Sequence, residues 1–298
     1  MTRKEQKENS QYLLNVFSGI LFNNQTFDEG NNNEITYNFE CKEFSILKEK
    51  YNLEEIAGKG SDFKKAKRLL HYLAPRLTHS SWYDNHVPCN ALDLLEYSLN
   101  NPEHGINCLN KSKILEECCL ALGIYARRVR IMPYSPYDFD NHVVTEIYDR
   151  KYQKWIMLDP TTDGFFVDEN GTPLSLLELR NKFANAEFVT YVKSTDRLKD
   201  LNKLKDKYVE ENAYICKNLF FFYIDRDSTF GTTGKSLAFV PTNYSVKSKL
   251  IANVKYRIKN LPEEYKELIP NLETKAEELQ HSEEESRTNI DSMIKTPF

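Results

Sequence analysis

One stretch of this chain limits strongly what it can fold into: a helix-period run closed at both ends, followed by two strand-period runs. The first is GINCLNKSKILEECCLALGI, residues 105–124. Within it Ile114, Leu115, Cys118 and Leu122 recur at helical spacing. Asn107 is a residue type that caps helix starts, and Gly123 stands where a helix commonly stops. The spacing therefore predicts a helix with Cys108 in its first turn. Further on, HVVTEIY (142–148) is rich in β-branched residues, and KWIMLD (154–159) is a second apolar run. The short polar stretch 149–153 between them has the character of a hairpin connection. A helix packed on an antiparallel sheet, an α+β fold, is the expectation.

The chemistry-bearing residues fall at defined places in this pattern. A thiol attacks a carbonyl as its thiolate, and the positive end of a helix favours a negative sulfur. Lys111 and Lys113 add positive potential nearby. A hairpin centred between Arg150 and Lys151 would pair His142 directly with Asp159 on one side of the sheet. The carboxylate could then hold one ring nitrogen and leave the other for the sulfur. Pro160 cannot extend a ladder, so Asp159 should stand at a strand end. Asp163 is the competing acid. Each residue has a plain alternative: a core cysteine, a core histidine, a turn aspartate. Cys118 and Cys119 are expected to be core residues of that kind.

GINCLNKSKILEECCLALGIYARRVR followed by DNHVVTEIYDRKYQKWIMLDPT resembles the core of the transglutaminase-like superfamily, of the bacterial cysteine peptidase or amidase type. The resemblance is strong from about 107 to 180 and fainter back to 61. It implies a papain-like, transglutaminase-like α+β core, with the nucleophile helix packed on an antiparallel sheet. Cys108, His142 and Asp159 fall on the family's triad positions. The family includes crosslinking transglutaminases, peptidases, peptide N-glycanases and catalytically dead scaffolds. The resemblance thus implies a thiol-dependent acyl-transfer enzyme acting on protein or peptide bonds. Hydrolysis is the preferred reaction; an amine-accepting transglutaminase and a non-catalytic binding scaffold are the alternatives. Trp82, Asn85 and His86, upstream of the nucleophile, are candidates for a second oxyanion donor beside the Cys108 N–H. Tyr134 and Tyr137, in a Pro-rich loop before His142, are candidate substrate contacts. Arg127 should pair with a carboxylate.

Composition narrows the rest. A net charge of -4 offers no basic field for nucleic acid, and no apolar run is long enough to span a bilayer. Six thinly spread cysteines are no disulfide scaffold, and they suit a reducing, cytoplasmic location, with secretion left open. No C-x-x-C or H-E-x-x-H spacing occurs, so neither a metal nor any other cofactor is expected. Gly231–Ser236 lacks the Gly that a phosphate loop needs at 229.

The chain divides by composition into 1–30, an N-terminal helix and linker; 31–195, the catalytic core; 196–262, an extension packed on the core; and 263–298, a charged tail, as a solvated helix or frayed. Ile35 to Cys41 alternates like a half-buried strand, and helices are expected over 44–53, 61–74, 91–99 and 174–182. The run YICKNLFFFYI, 214–224, reads as a buried strand.

Overall fold

The computed structural model describes residues 2–283 and 286–298. The helices are α1 (Arg3–Phe22), α2 (Lys42–Lys50), α3 (Leu53–Ala57), α4 (Asp62–Leu73), α5 (Ala91–Asn100) and α6 (Cys108–Ala121), then α7 (Leu176–Ala184), α8 (Leu201–Lys207), α9 (Val209–Asn218), α10 (Val246–Asn260), α11 (Ile269–His281) and α12 (Asp291–Ile294). The strands are β1 (Thr36–Tyr37), β2 (Ala126–Met132), β3 (His142–Asp149), β4 (Lys154–Leu158), β5 (Gly164–Val167), β6 (Thr190–Lys193), β7 (Phe221–Asp225), β8 (Asp227–Ser228) and β9 (Ser236–Phe239). Five of them form the central sheet in the order β4-β3-β2-β7-β9, antiparallel throughout. The fold is the expected α+β class.

Every residue of β3 is buried. A sheet covered on both faces needs such a run. One covering layer joins α2, α4, α5 and α6 to Ile147, Ile156 and Leu158; the other joins α1, α7 and α9 to Val129, Val144 and Met157. The caps explain where helices begin. Ser61 accepts the Lys64 N–H at the start of α4, Asn90 accepts that of Asp93, and Asn107 accepts that of Asn110. Gly123, with φ of +70°, turns the chain out of α6.

The hairpin register differs from expectation. Asp149 pairs with Lys154 and Thr145 with Leu158, so the turn is centred between Lys151 and Tyr152, one residue late. The buried Asp149 carboxylate sets this, because its Oδ1 accepts the N–H groups of Lys151 and Tyr152, both at 2.8 Å. Continuing that register puts Asp159 opposite Val144 instead of His142. The shift moves the pairing by one residue on each strand, which preserves the face. His142 and Asp159 become diagonal neighbours on one side, a separation long side chains can bridge.

Three further segments depart from the sequence reading. Residues 214–218 continue α9, and the strand begins at Phe221. Val209, Ala213 and Cys216 are buried at helical spacing, a signal outweighed by the aromatic run. The alternation at 35–41 yields only the two-residue β1, parallel to β8. The chain after 286 returns to the body. The acidic run expected at 283–285 lies partly outside the described residues. Beyond it the Thr288 N–H donates to the Ala238 carbonyl, Met293 is buried, and the Phe298 ring meets Tyr125 and Tyr148. Ile290 and Met293 supply the apolar anchors that average composition concealed. No helix among the described residues is long and apolar enough to cross a membrane.

Candidate active site

Cys108 is the first residue of α6, half-buried, at the positive end of the helix. Asn85 secures that end: its Oδ1 accepts from Asn107 Nδ2 at 3.0 Å and Asn110 Nδ2 at 2.8 Å. His142 opens β3 and is 3% exposed. Its Nε2 hydrogen-bonds Asp159 Oδ2 at 2.9 Å, and Cys108 is among the groups that raise the ring's pKa. Asp159 is held from its other oxygen, since Oδ1 accepts the Thr161 N–H at 2.9 Å. It follows the last residue of β4, and its backbone bridges Gly164 across the turn.

Burial opposes a charge on His142, but the Asp159 carboxylate outweighs it and raises the ring to about 10. Burial likewise opposes charge on Asp159, and the His142 charge overcomes it, holding the carboxyl below its usual range. The sign follows from linkage. A raised histidine contributes stability that is complete below the ordinary value of 6.5 and lost as pH climbs to about 10. The melting-temperature advantage of the wild type over Asp159→Asn should therefore be widest near pH 6 and shrink towards pH 10. A pH series of thermal melts checks this, and a gap that widens with pH contradicts it.

The other candidates are placed as follows. Trp82 stands 94% exposed in solvent. His86 is taken up by Asp84, Tyr83 and Tyr97. Of the three upstream side chains, Asn85 is the one positioned on the start of α6. Tyr134 packs on Phe220 and Tyr244, and Tyr137 on Tyr256, so both help dock the 133–139 loop. Asp163 turns to His71, at 3.1 Å from Nδ1. Lys113 was expected to add potential near the thiol, but its ammonium is committed to Glu116 at 2.9 Å and Glu117 at 3.3 Å. Burial pushes the Cys118 and Cys119 thiols up, and that of Cys216 to about 12. The sequence reading missed Tyr214: from α9 its ring meets that of His142 edge-on, with centroids 5.4 Å apart. The helical spacing of Val209, Ala213 and Cys216 was the available signal. Among the described residues no group of three His, Cys, Asp or Glu is placed to hold a metal.

Residues 50–160 match the model of the transglutaminase-like superfamily. No curated protein matches the chain. A solved protein from Cytophaga hutchinsonii, described as a candidate cysteine protease, is similar at 17% identity and a TM-score of 0.31. The match covers 50% of this chain and 49% of that one, so the chain spans about half the length of the solved protein it matches. The segment that carries Cys108, His142 and Asp159 is the segment, residues 50–160, that resembles the transglutaminase-like superfamily.

Proposed function

We propose that this chain is a thiol-dependent acyl-transfer enzyme that hydrolyses carboxamide or peptide bonds in proteins or peptides. Cys108 is the nucleophile, His142 the acid and base, and Asp159 the group that orients the ring. The sulfur's proton rests on His142 when the thiolate attacks the carbonyl carbon. The Cys108 backbone N–H, at the start of α6, donates to the developing oxyanion. Collapse breaks the C–N bond, the leaving nitrogen takes the proton from His142, and a thioester remains. His142 then deprotonates a water that attacks the thioester, releasing the acid and restoring the thiol–imidazole pair.

The observation that carries this reading is the buried His142 ring, hydrogen-bonded to Asp159 at 2.9 Å and raised in part by Cys108 at the start of α6. Hydrolysis is favoured over transfer to an amine because Cys108 is only half-buried, and a site that favours an amine must exclude water. A reducing, cytoplasmic location suits six free thiols.

Mass spectrometry of candidate protein substrates, incubated with wild type and with Cys108→Ala, tests the proposal. Wild type should cleave backbones or convert Gln to Glu, and Cys108→Ala should do neither. Gln–Lys crosslinks would assign the amine-accepting reaction instead. Activity retained in Cys108→Ala would overturn the nucleophile assignment.

A further inference from the structure

Lys111 lies three residues along α6 from Cys108, a spacing that puts both on one side of the helix. It is 2% exposed, yet among the described residues no hydrogen bond or ion pair engages its ammonium. Of the other buried cations, Lys249 also has no hydrogen bond or ion pair among the described residues and lies over the Phe221 ring, while the rest are matched. Lys113 donates to Glu116 and to the Thr229 carbonyl; Arg127 pairs with Glu146, and Arg128 with Asp225. Arg180 donates to the carbonyls of Leu219 and Asn24. An ammonium buried without a partner is costly. Its surroundings should therefore offer a negative charge.

Asp159, Cys108 and His79 are the ionisable groups that interact with it, and His142 and Tyr214 pack beside them. Asp159, at the end of β4, and Cys108, on α6, both attract the ammonium, against a burial that pushes it down. His142 on β3 is paired with Asp159. His79, before the Ile106 bridge, has its ring pushed down by burial, then by Lys111 and His142, and so stays uncharged. Tyr214, from α9, has its hydroxyl pushed up by burial and by Asp140, and also stays uncharged. Asp159 has both oxygens engaged, one by His142 and one by the Thr161 N–H. With His142 and Asp159 balancing each other, Lys111 is left as the unmatched charge. The ionisable group remaining beside it is the Cys108 sulfur.

We propose that Lys111 is a positioning residue that holds Cys108 in its ionised, nucleophilic form. The inference rests on the reading of Cys108 as nucleophile, and it adds a second cation to the one His142 supplies. Lys111 acts through the sulfur and needs no contact with substrate.

The test is alkylation of Cys108 by iodoacetamide, followed by peptide mass across about pH 5 to 9, in wild type, Lys111→Met, Lys111→Gln and Lys111→Arg. The sulfur displaces iodide and forms a thioether, so the rate reports the ionised fraction without requiring a substrate. Wild type and Lys111→Arg should label readily near pH 7. The Met and Gln variants should label about tenfold more slowly there and recover only at higher pH. Their melting temperatures are measured alongside, so that slower labelling counts only in a folded variant. If Met at 111 disturbs folding, the Gln and Arg variants decide by the same readout. Labelling of a folded Met or Gln variant at the wild-type rate at every pH overturns this inference alone. If wild-type Cys108 labels more slowly than Cys41 or Cys89, this inference and the nucleophile assignment both fall.

Discussion

Asp159→Asn should lower kcat on the order of 10⁴-fold, the effect expected when a catalytic imidazole is held in the wrong tautomer. The direction comes from the second oxygen. Asp159 Oδ1 accepts the Thr161 N–H at 2.9 Å, while Oδ2 meets His142 Nε2 at 2.9 Å. In an Asn at this position the carbonyl oxygen must serve Thr161, because two N–H groups cannot face each other. The NH2 is then turned to Nε2, which becomes an acceptor, and the ring proton moves to the nitrogen that should receive the sulfur's proton. Cys-His enzymes that work with Asn leave its oxygen free for the imidazole; here the turn 160–163 takes it. Asp163→Asn is the control. Asp163 faces His71, and its φ of +57° is one that Asn adopts readily. That variant should keep turnover within a few-fold of wild type. Steady-state kinetics of both variants, with melting temperatures, settle the matter: a dead Asp163→Asn beside an active Asp159→Asn would move the orienting role to Asp163.

Arg127→Ala should destabilise the fold by about 3–5 kcal/mol, the cost of leaving a buried charge without its partner. Arg127 is 1% exposed. Its Nε and Nη2 reach Glu146 Oε2 at 3.0 and 2.6 Å, its Nη2 also donates to the Met293 carbonyl at 2.6 Å, and its guanidinium lies 3.8 Å from the Trp155 ring centroid. Truncation strands the Glu146 carboxylate, whose other oxygen accepts the Leu176 N–H at 2.9 Å. It also frees the segment around α12, so limited proteolysis should cut after 286 sooner than in wild type. Urea unfolding measures the loss. The double variant Arg127→Met, Glu146→Gln should recover much of it, since no buried charge is then unpaired. A loss under about 1 kcal/mol for Arg127→Ala would show that solvent reaches Glu146 and that the tail does not seal the site.

The core of the fold was legible because it is written in local periods. Asn107 and Gly123 bracket α6 through their own backbone preferences, and those preferences place Cys108 on the first turn whatever packs around it. The strand period of two did more. The sequence reading set the hairpin one residue early, yet His142 and Asp159 still share a face, because a shift shared equally by both strands keeps odd opposite even. The pairing of Arg127 with a carboxylate was foreseeable from a cation between two apolar runs; that the carboxylate is Glu146, across the β2–β3 ladder, was not.

What tertiary structure decided lies where partners are far apart in sequence. Lys113 meets Glu116 and Glu117 within α6 itself, but the Thr229 carbonyl that completes its shell comes from 116 residues away. Tyr214 reaches His142 because α9 crosses the end of the sheet. The segment 286–298 reads as polar by composition and is anchored by Ile290 and Met293 in the core that β2, β3, β4 and β9 build. Local sequence determines backbone period and caps; the electrostatic state of a buried group depends on every element packed against it, and that is set only when the chain has closed.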